Sequence, residues 1–288
     1  MSTRASDIST VLYRVLVLNF AVAAAKIALG VTSGAVSVLS DGFHSLTDTA
    51  SNVVAIIAVR AAGAPPDTEH PYGHRKFETM ASVGILLFLL LVLREVLAAA
   101  WERFRSGGAP DVTALTFAVM GGTFLINLAV VIYERRASRR LDSEVLAADA
   151  HHTMSDLLTS ATVIAALVGV QFGYVWLDPA AALIVAAFIG YACWEIFTST
   201  TGILADRIVI PEEEIRAVVS SVPEVAGCHH IRTRGSADFV FLDLHVWMDP
   251  DMPLERAHSL SHVVKDRLMA RFPQIKDAII HIEPPPKN

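Results

Sequence analysis

The chain has 288 residues, of which 53% are hydrophobic and 18% charged, with a formal net charge of -6. With a mean hydropathy of +0.49, this balance excludes a purely soluble domain and fits a polytopic membrane protein with a soluble appendage. The negative charge gives no reason to expect a nucleic-acid partner, and the two cysteines, Cys193 and Cys228, form no CxxC, so neither a disulfide framework nor a cysteine zinc knuckle is indicated.

The N-terminal stretch MSTRASDIST turns apolar near residue 11 without the small-residue cleavage site of a signal peptide, so the first apolar segment is expected to be a retained span. Span one is placed at about 9–30. It ends at Gly30 and contains Asn19 and Lys26, polar residues that should face protein rather than lipid. The short VTSGA connection makes a tight hairpin with span two, 36–60. Span two carries Asp41, His44 and Asp48 at i, i+3 and i+7, one stripe of a helix. A carboxylate at mid-bilayer costs roughly 2.5–3.5 kcal/mol on insertion scales, so such a stripe needs a partner or a cargo.

Prolines and glycines in 61–78 predict a loop, which holds Asp67, Glu69, His70, His74, Arg75 and Lys76. Span three is placed at about 79–100, with Glu95, Glu102, Arg103 and Arg105 at its outer end. Span four is placed at about 113–133, with Gly121-Gly122 as a close-packing point and Asn127 inside. The segment ERRASRR, 134–140, reads as a loop, and its four arginines place it in the cytoplasm by the positive-inside rule. With six spans both termini are then cytoplasmic. Span five, about 145–171, holds Asp149, His151, His152 and Asp156, and span six follows Trp176 and runs to about 201.

Beyond 202 the pattern changes to that of a small α+β domain. PEEEIRAVVSSV predicts a short helix with Pro211 at its start. VAGCHHIRTR and ADFVFLDLHVWM read as strands separated by a turn at Gly235, and the second alternates between two faces. A helix over 253–272 and a last strand in AIIHIEP complete the order αββαβ. A domain of roughly 80 residues is marginal alone, so metal or dimerisation is expected to support it.

Three groups of ligand residues stand out. Spans two and five each carry His-x-x-x-Asp, His44/Asp48 and His152/Asp156, which puts imidazole and carboxylate one turn apart on one face. Facing each other, they form a four-ligand N2O2 set suited to Zn²⁺, and able to take Fe²⁺, Co²⁺ or Cd²⁺. Protons compete with metal for imidazole near neutral pH. Asp67, His70 and His74 form a second cluster in the loop. In the tail, His229, His245, His258, His281 and Glu283 are expected to converge on one edge. His151, His230 and His262 are read as neighbours of better candidates, and no HExxH occurs, so a zinc protease is unsupported.

These residues resemble the cation diffusion facilitator family of divalent-metal/proton antiporters over nearly the whole chain. The resemblance rests on SDGFHSLTD, DTEHPYGHRKFE, ADAHHTMSD, and HHIRTRGS with IIHIEP, in that order. It implies a homodimer with six transmembrane helices in residues 1–205 and a ferredoxin-like cytoplasmic metal-binding and dimerisation domain in 206–288. It also implies that His44, Asp48, His152 and Asp156 are transport ligands and that Asp67, His70 and His74 form a loop site. His229, His245, His258, His281 and Glu283 match a binuclear cytoplasmic site, and Lys76 and Asp206 match an ion pair near the membrane face of the dimer. The expected activity is proton-coupled efflux of Zn²⁺ or a similar divalent ion across the cytoplasmic membrane by alternating access, with protons as counter-ion and lipid as surroundings. His44 stands where familiar bacterial members carry Asp, which moves Mn²⁺ down the order. Asp41, without a counterpart in span five, is left as a proton-relay or ion-access residue. A metal-gated channel or membrane metal sensor is the competing expectation, and an intramembrane enzyme lacks a separate base.

Overall fold

The computed structural model describes residues 3–62, 64–141 and 144–286. It separates into two compact units, Met1–Phe197 and Thr198–Asn288. The first contains helices α1 (Thr3–Ser33), α2 (Val36–Ala62), α3 (Lys76–Ser106), α4 (Ala114–Leu141) and α5 (Glu144–Gln171), and most of α6 (Leu177–Leu204). Among the described residues, five segments are long and apolar enough to cross a membrane: Thr10–Ser33, Lys76–Ser106, Ala114–Leu141, His152–Gln171 and Leu177–Leu204. The sixth helix, α2, spans 27 residues, about 40 Å at 1.5 Å per residue, which is enough to cross. Its apolar run is interrupted by the polar stripe. Large apolar side chains such as Phe20, Leu91, Leu125 and Phe188 point outward, as a lipid-facing surface requires.

The inward faces share one core. Leu29 of α1, Val38 of α2, Val92 and Val96 of α3, Met120 of α4, Leu167 of α5 and Ile189 of α6 are buried together. The α1–α2 hairpin closes tightly because of two glycines. A Cβ on Gly30 would lie 2.6 Å from the Leu39 backbone, and one on Gly42 would lie 2.8 Å from the Ile27 amide nitrogen, so only glycine admits this approach. Asp178 of α6 secures the start of α2. Its carboxylate accepts from the Val36 and Ser37 amides, both at 3.0 Å, and from the Ser37 hydroxyl at 2.5 Å, the arrangement that suits a helix N-terminus.

One sequence expectation changes here. ERRASRR is not a loop: α4 continues through it to Leu141. Glutamate, alanine and arginine are strong helix formers, and Arg139 and Arg140 in the last turn complement the helix dipole. Arg103, near the end of α3, has partners in the α1–α2 turn and its own loop. It donates to the Gly34 carbonyl and, at 3.0 Å, to the Gly108 carbonyl, tying the end of α3 to the α1–α2 turn.

The second unit holds α7 (Glu212–Ser220), β1 (Gly227–Ser236), β2 (Phe239–Trp247), α8 (Leu254–Arg271) and β3 (Ile275–Glu283), the expected αββαβ order. The sheet runs β1-β2-β3, antiparallel between β1 and β2 and parallel between β2 and β3. One sheet face, with Val240, Leu242, Leu244 and Val246, packs against Ile215 and Val219 of α7 and Leu260, Val264 and Leu268 of α8. Among the described residues of this unit, α7 and α8 leave the other face uncovered. Gly235 is not in the turn but within β1, at φ +118 and paired with Val240. A Cβ there would meet the Phe239 carbonyl oxygen at 2.1 Å, so the close strand crossing at the hairpin end requires glycine.

Candidate metal sites

The α2 and α5 stripes face each other. His44 Nε2 lies 3.7 Å from Asp48 Oδ2 and 3.6 Å from Asp156 Oδ1, and His152 Nε2 lies 3.7 Å from Asp48 Oδ1. The four side chains form an alternating chain, Asp156–His44–Asp48–His152. Ligating atoms of His44, Asp48 and Asp156 all fall within 4.8 Å of one another. These separations are longer than a good hydrogen bond. They are close to the roughly 3.3–3.6 Å between two atoms that share one tetrahedral ion at about 2.0–2.2 Å. Asp48 Oδ2 and Asp156 Oδ1 are buried without a hydrogen-bond partner, a costly state for a carboxylate oxygen unless a cation occupies the space beside it. His44 and Asp156 are nearly closed off, at 13% and 11% side-chain exposure, whereas His152 is 49% exposed. The side chain of His151 lies outside the described residues.

One turn away, α1 contributes a fixed cation. Lys26 Nζ lies 2.9 Å from Asp41 Oδ2 and donates to Ser160 Oγ at 2.8 Å and Ser45 Oγ at 3.2 Å. Ser160 Oγ donates to Asp41 Oδ2 at 3.0 Å. Lys26 and Asp41 are both fully buried. Asp41 therefore sits in a closed network that joins α1, α2 and α5 beside the ligand set. Also against α5, fully buried Glu134 of α4 accepts from the Thr153 hydroxyl at 3.1 Å, while its Oε1 has no hydrogen-bond partner.

In the 61–78 loop, Asp67 reaches both histidines, with Oδ1 3.4 Å from His70 Nδ1 and Oδ2 3.3 Å from His74 Nε2. The three offer ligating atoms within 4.8 Å. The His70 and Glu69 amides donate to Asp67 Oδ1 at 2.6 and 2.9 Å, and the His70 amide above all holds the Asp67 carboxyl below its usual range. Gly73, at φ +83, closes the turn with its N–H on the His70 carbonyl at 2.9 Å. The His74 ring stacks on Phe77 at 5.8 Å. Lys76 is the first residue of α3, and Asp206 follows α6 with φ +51.

The tail cluster grows from strand register on the helix-free face. His229 pairs with His245, His245 with His281, and Trp247 with Glu283, so the rings sit side by side across three strands. Glu283 is the hub. It contacts His229 Nε2 and lies 3.2 Å from His245 Nδ1, and its Oε1 accepts from Trp247 Nε1 at 3.0 Å. The His229 contact, followed by those of His245 and Trp247, lowers the Glu283 pKa to about 2. His229, His245 and Glu283 form a ligand group, and the His281 ring lies 4.6 Å from that of His245. His258 does not join it within one chain. It is exposed on α8, whose buried residues cover the opposite sheet face, and its Nε2 lies 3.3 Å from His262 Nε2.

Residues 12–205 match the family model for the cation efflux transmembrane domain, and 210–285 match that for the cytoplasmic domain of cation efflux proteins. The chain belongs to the cation diffusion facilitator family. An uncharacterized transporter of Methanocaldococcus jannaschii is 31% identical over 90% of this chain and 92% of its own length. The cation-efflux pump FieF of Shewanella oneidensis is 31% identical over 88% and 86%. The manganese efflux system protein MneP of Bacillus subtilis is 25% identical over 93% of each. This member of the family is a multi-pass membrane transporter of divalent metal cations and not an enzyme.

Several residues around these sites escape a reading by ligand spacing. Lys26 is visible in the sequence as a charge within a span, and the need of buried Asp41 for a cation is the signal that connects the two. Ser160, Glu134 and Trp247 carry no such signal. His230 is read in the sequence only as a neighbour of His229.

Proposed function

We propose that the protein exports Zn²⁺ from the cytoplasm in exchange for protons, with His44, Asp48, His152 and Asp156 as the transport ligands. The observation that carries this reading is the pair of buried, unpartnered carboxylate oxygens of Asp48 and Asp156, gathered with His44 between two membrane helices. Two imidazoles and two carboxylates suit zinc, with Fe²⁺, Co²⁺ and Cd²⁺ sharing the ligand set, and are less suited to Mn²⁺, which favours oxygen donors. Ligands of this kind bind metal only when deprotonated, so loading expels protons and unloading recovers them. Alternating exposure of the site to the two membrane sides then converts a proton gradient into metal export.

The chain works as a homodimer in the cytoplasmic membrane with both termini inside. Residues 1–205 form the membrane domain and 206–288 the tail. Lys76 and Asp206 make the ion pair near the membrane face of the dimer, and Asp67, His70 and His74 hold a second ion. The tail cluster of His229, His245, His281 and Glu283 binds metal, with His258 as a further ligand once two tails associate. The test is metal flux in proteoliposomes for Zn²⁺ and Mn²⁺ side by side. Wild type should prefer zinc, His44→Asp should narrow the preference, and Asp156→Ala should abolish flux. Zinc flux that survives Asp156→Ala would refute the assignment.

A further inference from the structure

In a regular strand successive side chains leave opposite faces, so His230, next to His229, belongs among the helix-covered residues. It does not go there. His230 has φ +49, a left-handed conformation uncommon for a residue other than glycine. The β1–β2 register breaks at the same point. From His229↔His245 to Arg232↔Asp243, β1 advances three residues while β2 advances two, the one-residue excess of a β-bulge. The outcome is that two consecutive histidines face the same way. The His230 ring centre lies 4.6 Å from that of His229 and 5.1 Å from that of His245.

These spacings match metal chemistry. Imidazoles bound to one tetrahedral ion at about 2.0–2.1 Å have ring centres roughly 5 Å apart. His229–His245 at 5.1 Å and His245–His281 at 4.6 Å fall in the same range. His230 is exposed, so its ring is free to turn a nitrogen toward an ion. His258, in contrast, is on the other layer of the domain and faces His262.

We propose that His230 is a metal ligand of the tail, brought onto the open sheet face by the β1 bulge, so that one chain supplies four strand-borne imidazoles and Glu283 without His258. The inference rests on the tail being a metal-binding domain. It also sharpens what the tail should take: an imidazole-rich set favours zinc and its neighbours over manganese.

Trp247 reads the site directly. Its ring lies 4.9 Å from that of His229 and its indole donates to Glu283, and it is the one tryptophan of four in the tail. The full-length protein in detergent, with Trp101, Trp176 and Trp194 replaced by Phe, is titrated with Zn²⁺ while Trp247 fluorescence is followed. His230→Asn and His230→Asp are compared, since both tolerate the left-handed backbone and have the same shape, while only Asp is a good zinc ligand. His230→Asn should weaken the zinc response by about tenfold or more, and His230→Asp should bind clearly more tightly than His230→Asn. Equal titrations of the two variants would mean that His230 shapes the bulge and does not bind, which overturns the inference. A parent protein whose Trp247 ignores zinc would overturn the tail-metal reading itself.

Discussion

Asp41 shows how one contact decides a residue's role. In the sequence it belongs to the same stripe as His44 and Asp48, and only its lack of a counterpart in span five sets it apart from the ligands. In the structure its carboxylate is 2.9 Å from Lys26 and bonded to Ser160, so its charge is already answered. Removing one member of a buried pair leaves an uncompensated charge, at a cost of about 3–5 kcal/mol, whereas replacing both with apolar residues is often nearly neutral. Lys26→Met or Asp41→Val alone should therefore lower the melting temperature in detergent sharply, and the double variant should recover most of it. A folded double variant that transports zinc keeps Asp41 as a positioning residue; a folded double variant that binds zinc but has lost proton coupling would return it to a relay role. A milder case lies in the tail. Lys265, 2.7 Å away, lowers the pKa of Asp277, so this pair stabilises the folded state above the ordinary carboxylate pKa and the benefit is lost as pH falls through the depressed value. The pair is partly exposed, so Asp277→Asn should cost at most about 1 kcal/mol at pH 7 and progressively less as the pH falls through the depressed pKa, measured by chemical unfolding across that range.

At the scale of elements, most of the fold was legible because hydrophobic run length and strand alternation are strong signals. The six long helices and the αββαβ tail appear in the expected order, with α4 running past its expected end to Leu141, and the two His-x-x-x-Asp repeats lie on α2 and α5, which face each other. What could not be read is whatever depends on a partner element. The Asp178 cap on α2 spans 141 residues of sequence to Ser37. The His230 bulge is set by the pairing of β1 with β2, which the residues of β1 alone do not reveal. His258 is assigned by resemblance to a group that its own helix, on the far side of the sheet, does not approach. The glycines of the α1–α2 hairpin are a further instance, since only the partner backbone reveals why they are small. Gly42→Ala would place a methyl 2.8 Å from the Ile27 amide. Because backbone cannot yield as a side-chain tip does, this should cost about 1–3 kcal/mol and displace His44, two residues on. Thermal stability and zinc affinity should fall together; an unperturbed Gly42→Ala protein would show that the hairpin is looser than its packing implies.

At the scale of the whole molecule, export requires that a site buried between helices communicate with both aqueous sides in turn and that its ligands exchange metal for protons. A chain that merely gates a pore would contain the same ligands but could not move metal against its gradient. The deciding measurement is zinc movement in proteoliposomes that begin with more zinc in the receiving compartment than outside it, under an imposed pH gradient. Proton-coupled export predicts net uphill zinc transport that stops when a protonophore collapses the gradient and that is absent in Asp48→Ala. Zinc that moves only downhill, at a rate indifferent to the proton gradient and to Asp48→Ala, would contradict it.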